Sequence, residues 1–416
     1  MATERPESTM GHSDPMVTAQ PLCLRTKALL LLIFGAMGFQ VGAWALSLPA
    51  VVRELGIDAQ QLGFTLSGMA IAGIAATVFS GRIAERITVR ITLTVAAAAS
   101  GIGYLIMPLL DSYIIFTIGA MATGAGLGMF DVAANAAGSL EERRSGRTLL
   151  STLHAVFSFA AAGAAVLSYV LNGDSGYAPA FFAAGVVCIV GAGAALLLPS
   201  GSPEPGGGAK EENTADSHNL ARISAAAALL AFVIVCGSFT VDATLEGFSA
   251  LFISQLPGQG AAQSAFGLAS LYIASALGRT VSTTVINRFG DWRTLLIGLC
   301  IVVAGVVVLI WIEASWASAA GMLLIGFGIA PAAPIGYSVM GRSRATGVER
   351  ATARLTTAGY GAFVLAPMVI GVVGNESLSD GFRLLPILLA AMILVTAWFG
   401  YRHNRFTRKQ ARPDVF

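Results

Sequence analysis

Twelve long apolar runs, six on either side of one polar linker, leave this chain few folds to adopt. They lie near residues 28–50, 63–80, 91–110, 114–138, 149–171 and 180–199, then 223–253, 264–286, 294–312, 316–340, 352–373 and 383–401. About 20 apolar residues in a helix cross the hydrocarbon core of a bilayer. Inside lipid each backbone N–H and C=O must be paired within its own segment, so runs of this length read as helices. Between the halves, SGSPEPGGGAKEENTADSHN (200–219) is rich in Gly, Pro and charge and has no apolar periodicity. The reading is an all-α membrane protein with twelve transmembrane helices in two pseudo-symmetric six-helix halves. Its parts are a disordered tail 1–27, an N-terminal half 28–199, a linker 200–222, a C-terminal half 223–402 and a basic tail 403–416.

Charge is scarce, and its placement sets the orientation. Charged residues make up 12% of the chain against 55% hydrophobic, with a mean hydropathy of +0.74; a soluble domain carries about twice that share of charge. With the N-terminus inside, 22 of the 25 Lys and Arg residues fall on the cytoplasmic side. Arg53 and Arg383 fall outside, and Arg279 lies within a span. That bias puts both termini and the linker in the cytoplasm. None of the three lysines follows a glycine, which excludes a phosphate-binding Walker loop and an ATP-driven pump built on this chain. The cysteines Cys23, Cys188, Cys236 and Cys300 are scattered singly and form no disulfide framework. No cofactor, metal site or nucleic-acid partner is expected, and a monomer in the bilayer is the expected state.

The halves echo each other. GAGLGMFDVAANA starts at Gly124 and GFGIAPAAPIGYS at Gly326, and an Arg-containing loop follows each. Repeated halves around a long linker mark secondary transporters. The first copy holds the strongest chemical signal. Asp131 and Asn135 stand four apart on one helix face. A carboxylate near mid-membrane costs about 3 kcal/mol even on lenient scales, so it requires partners or a task. With the hairpin turn between Glu142 and Arg143, His154 falls at the same depth as Asp131, each eleven residues from the turn. On the seventh span Asp242 and Glu246 share a face, where two like charges can hold one proton between them; the alternative has Glu246 reaching periplasmic water. Gln40, Trp44 and Tyr337 (the repeat position of Asn135) are candidates to line a cavity. Arg279 reads as a latch or packing residue, and Gly119, Gly124, Gly126 and Gly128 as helix-packing positions.

Over residues 28–402 the chain resembles the major facilitator superfamily. Gly81-Arg82-Ile83-Ala84-Glu85-Arg86 with Arg90 is similar to that family's loop motif, with Glu85 for the usual Asp and Thr88 for the usual Gly. The second copy, Asn287-Arg288-Phe289-Gly290, keeps the Gly and loses the acid. The resemblance implies a cytoplasmic gate of Gly81, Glu85, Arg86, Arg90 and Arg288. A finer resemblance is to fucose-permease-like bacterial carriers, the inner-membrane YbjJ type and the rhizopine-associated MosC type. It rests on Trp44 with Pro49, Asp131 through Asn135, Glu141, His154 with Ser158, and Asp242. Ala45 stands where fucose permease has a second acid, so the two-carboxylate scheme does not carry over whole.

The function expected is proton-coupled movement of a small polar solute, sugar-, cyclitol- or rhizopine-like, by alternating access. The fifth span lacks the proline of family exporters, which favours import. An exporter working by proton antiport and a non-transporting sensor stand as alternatives. A membrane-embedded enzyme would need clustered nucleophiles or ligands, and of four histidines only His154 is intramembrane.

Overall fold

The computed structural model describes residues 23–84, 88–173, 175–199, 220–342 and 348–410, side chains of 80–84, 220–224, 348–350 and 403–410 excepted. Its N-terminal half consists of α1 (Leu24–Leu55), α2 (Ala59–Ala84), α3 (Val89–Ile106), α4 (Tyr113–Ser145), α5 (Leu150–Asn172) and α6 (Ala178–Leu196). The C-terminal half has α7 (Leu220–Gln255), α8 (Ala261–Phe289), α9 (Asp291–Trp311), α10 (Ala317–Ile329), α11 (Ala332–Arg342), α12 (Val348–Val373), α13 (Leu378–Phe382) and α14 (Leu384–Gln410). The tenth span is α10 and α11, broken at Ala330-Pro331, where the missing proline N–H cannot continue the helix.

Among the described residues eleven spans are long and apolar enough to cross a membrane on composition alone. The twelfth is α8, whose 29 residues suffice in length but carry Arg279 and several Ser and Thr. It packs against α5, α7 and α10, and Arg279 lies exposed toward its C-terminal end. Both halves repeat one packing plan: α2 on α4 and α3 on α4 in the first, α8 on α10 and α9 on α10 in the second.

Apolar side chains gain little by leaving lipid for one another, so helices in a bilayer associate through close packing at small residues. Gly38 and Gly42 of α1 lie against the Phe157 and Ala161 carbonyl oxygens of α5, and a Cβ at either would stand 2.0 Å from the oxygen. On α4, Gly124 and Gly128 meet α2 while Gly126 meets α3 at Ser100, in keeping with the packing role expected of them.

The halves meet chiefly along α2 with α12, α5 with α8 and α1 with α7, and α1 also touches α8. The side on which α1 begins and α14 ends is the terminal face. At the opposite face α2 and α12 touch backbone to backbone: a Cβ on Gly63 would sit 2.4 Å from the Pro367 carbonyl, and one on Gly371 2.5 Å from that of Ala59. Ser67 Oγ donates to the Val364 carbonyl at 2.7 Å and Gln60 N to Asn375 Oδ1 at 3.3 Å.

These contacts predict an asymmetry between glycines. Gly42→Val should destabilise the detergent-purified protein by at least about 1–3 kcal/mol through overpacking. Gly163→Ala, where a Cβ meets nothing within 4 Å, should be neutral or stabilising by up to about 1 kcal/mol. Thermal unfolding of both variants checks this.

Candidate functional site

A cavity of about 650 Å³ opens between the halves. Its walls come from α1, α2 and α4 on one side and α7 and α12 on the other, with Tyr104 of α3 and Phe157 of α5. Thr77 and Val78, near the terminal-face end of α2, border it, as do Thr352 and Ala353 near the terminal-face start of α12. The far ends of those two helices form the Gly63–Gly371 seam. The cavity is therefore open toward the terminal face and sealed at the other.

Asp131 lies in the α4 wall. Asn135 Nδ2 donates to Asp131 Oδ1 at 2.9 Å and to the Asp131 carbonyl at 2.9 Å. Its Oδ1 lies 3.0 Å from His154 Nε2. Because the amide nitrogen is committed to Asp131, Oδ1 can only accept, so His154 presents Nε2–H. The Phe34 ring packs edge-on against the imidazole at 5.4 Å. Asp131, Asn135 and His154 thus form one chain running from the cavity wall toward the terminal face.

The equal-depth pairing of Asp131 with His154 is corrected by this geometry. Helix α4 does not turn at Glu142; it runs through Ser145 and ends at Gly146, whose φ of 64° only glycine adopts freely. Glu142 Oε2 instead accepts from the backbone N–H groups of Leu149 and Leu150, capping α5. The later turn slides α5 along α4, and His154 reaches Asn135, one helical turn below the acid.

On the facing side Glu246 lines the cavity from α7, and Asp242 lies one turn nearer the terminal face, partly exposed. Arg279 is exposed and makes no salt bridge among the described residues. It lies seven residues beyond Tyr272, hence on the same face of α8. Trp44 is in the cavity wall, stacked on Phe181 at 5.6 Å with Tyr104 edge-on at 6.4 Å.

Two candidates lie elsewhere. Gln40 is fully buried behind the wall: Ser100 Oγ donates to its Oε1 at 2.6 Å and Tyr104 Oη to its carbonyl at 3.1 Å. Tyr337 packs beside Ala231, Val235 and Leu355 instead of lining the cavity, because the break at Pro331 re-aims the short α11. Of the gate residues, Glu85 and Arg86 lie outside the described residues, as do the side-chain surroundings of Gly81. Arg90 Nη1 donates to the Leu198 carbonyl of its own half at 3.4 Å, and Arg288 is exposed over the Phe289 ring at 5.6 Å.

Sequence reasoning passed over the α12 wall. Thr352, Thr356, Thr357 and Tyr360 all face the cavity, with Asp131 on its other wall. The signal was present: positions i, i+4, i+5 and i+8 form a polar stripe on an apolar helix. Thr356 and Thr357 donate to the carbonyls of Thr352 and Ala353, so their oxygens offer lone pairs to the cavity.

Two six-helix halves around a cavity open on one side define a membrane carrier. The chain belongs to the Major Facilitator Superfamily, whose model matches residues 29–367. An uncharacterized MFS-type transporter of Yersinia pestis is 27% identical over 363 residues, 86% of this chain and 91% of that protein. An uncharacterized transporter of Sinorhizobium fredii is 23% identical over 372 residues, 86% of this chain and 94% of its own. In fold, a mutant form of the nucleoside transporter NupG superposes with a TM-score of 0.73 at 11% identity, covering 90% of this chain and 99% of that one. A bacterial homologue of the human drug peptide transporters PepT1 and PepT2 superposes with 0.69 at 15% identity, covering 92% and 99%. Membrane transport is the activity of this fold and family.

The open and sealed sides predict opposite accessibilities. In a variant lacking the native cysteines, Thr356→Cys should react readily with a charged maleimide in the purified protein. Ser67→Cys, in the seam, should be protected by comparison. Mass spectrometry of labelled protein reads both.

Proposed function

We propose that this protein is a proton-coupled secondary transporter of the inner membrane, with both termini in the cytoplasm, moving a small donor-rich solute by alternating access. The observation that carries the reading is that Asp131 and Glu246, one acid from each half, line the same cavity. A proton taken up by either alters the charge at the point where the halves separate. On the Lys and Arg asymmetry the terminal face is cytoplasmic, and the cavity is then inward-open. One proton moving down 100 mV contributes about 2.3 kcal/mol, roughly fifty-fold accumulation of a neutral solute.

The wall chemistry supports a hydroxyl- or amine-bearing solute. Asp131, Glu246 and the threonine oxygens of α12 are acceptors, matched by a sugar, a cyclitol or a rhizopine-like amino-cyclitol. This agrees with the fucose-permease-like resemblance and with import. A second reading, export of an amphipathic metabolite by proton antiport, is favoured by the apolar remainder of the wall, including Met37, Met69, Ile74 and Phe363.

Asp131→Asn should still bind and exchange solute but fail to accumulate it against a gradient. Proteoliposome uptake with and without an imposed pH gradient checks this; full gradient-driven accumulation by that variant would remove Asp131 as the proton carrier and leave Asp242 and Glu246.

His154→Ala removes one hydrogen bond to Asn135, worth about 0.5–1.5 kcal/mol. Solute binding should weaken by roughly three- to tenfold without being abolished, and the pH at which uptake is half-maximal should move. Binding isotherms and pH profiles of uptake measure the two effects separately.

A further inference from the structure

A second, smaller cleft of about 40 Å³ lies at the terminal face of the N-terminal half, away from the central cavity. It is bordered by α1 at Thr26, α3 at Val89 and Arg90, α4 at Glu141 and Arg144, and the chain after α6 at Leu198 and Pro199. By volume it has room for about three waters, the size of one tetrahedral oxyanion. Two guanidinium groups reach it. Arg144 is exposed and has no ion pair among the described residues. Arg90 spends Nη1 on a long, 3.4 Å bond to the Leu198 carbonyl, while its Nε is buried with no hydrogen-bond partner. A buried donor without an acceptor costs free energy, about 1–3 kcal/mol, and an arginine presents its donors as a fork that fits phosphate oxygens. The first turn of α3 adds to this. Thr88 caps it through Ile91 N, and Val89 and Arg90 sit where helix N–H groups lack partners inside the helix. Among the described residues Glu141 is the one acid bordering the cleft, against two arginines.

The surroundings indicate where the anion comes from. The cleft lies at a helix end, and beside it Leu196 and Leu197 are 56% and 57% exposed on the outside of the bundle. An acyl chain would lie along that surface while its headgroup entered the cleft. We propose that this cleft is a phosphate site that holds the headgroup of an anionic phospholipid of the cytoplasmic leaflet. The leaflet assignment rests on the orientation proposed above; the site itself does not depend on the transported solute or its coupling. Bound there, a lipid phosphate would tie α1, α3, α4 and the end of α6 together at their membrane boundary, with Arg144 and the remaining terminal N–H groups of Arg90 as its donors.

The test uses delipidated full-length protein in detergent, titrated with phosphatidylglycerol, phosphatidylcholine or inorganic phosphate, with bound species counted by native mass spectrometry and stability followed by thermal unfolding. Phosphatidylglycerol should bind more tightly than phosphatidylcholine. Arg144→Gln should weaken it about fivefold, equivalent to about 1 kcal/mol, while Arg144→Lys retains most of it. Glu141→Gln should strengthen it. Arg90→Gln should weaken it too, but that change also removes the Leu198 bond, so Arg144 is the deciding position. Equal retention of the two lipids, or unchanged phosphatidylglycerol binding in Arg144→Gln, would overturn the site. Stabilisation by inorganic phosphate with no preference for phosphatidylglycerol would overturn the lipid source. Loss of uptake in liposomes with lipid binding intact would instead count against the transport reading, so the two failures are separable.

Discussion

Backbone touching backbone is the constraint on which this bundle depends. In a solvent as apolar as leucine, helices gain little from side-chain burial and must approach until main-chain atoms meet. Gly38 and Gly42 allow this between α1 and α5, and Gly298 with Gly328 repeats it between α9 and α10. Each half is thereby fixed internally by contacts that tolerate almost no added volume. Between the halves contact is concentrated in a few helix pairs, and along α2 and α12 the tightest approach falls at one end. Rigid halves joined by so limited a seam can rock as bodies, and the cavity is what their separation at the terminal face leaves.

The electrostatics follow from that geometry. A lone carboxylate in such a wall would be costly, and Asp131 is held by the amide of Asn135, itself engaged by His154. On the opposite wall Glu246 lines the same cavity, with Asp242 one turn away on α7. Acids of the two halves therefore border one cavity where the halves move apart.

Much of this was legible in the sequence, for identifiable reasons. Long apolar runs fix helices because lipid offers the backbone no alternative partner, and the Gly124 and Gly326 repeat exposed the two-fold plan. Asp131, Asn135 and His154 were conspicuous because polar groups are rare in such runs. Their register was not legible: it turned on whether α4 stopped at Glu142 or ran on to Gly146, a matter of one glycine and one side-chain cap. Gln40 and Tyr337 misled because their rotation about the helix axis is set by tertiary partners, Ser100 for one and the Pro331 break for the other. The threonine stripe of α12 was overlooked because hydroxyls that bond to their own helix attract no notice in a composition scan.

Pro367 has a thermodynamic consequence. It stands inside α12 at the seam, where its missing N–H cannot reach the Phe363 carbonyl; beside it Ser67 of the other half donates to the Val364 carbonyl. When the seam parts, water can take over that carbonyl, so the exchange costs only about 0.5–1.5 kcal/mol. That cost enters the barrier of every reorientation, loaded or empty. It cancels from the final distribution of solute, which depends only on the free energies of the two compartments. The seam is thus a setting of turnover speed, and it can drift in evolution without altering how steep a gradient the carrier sustains.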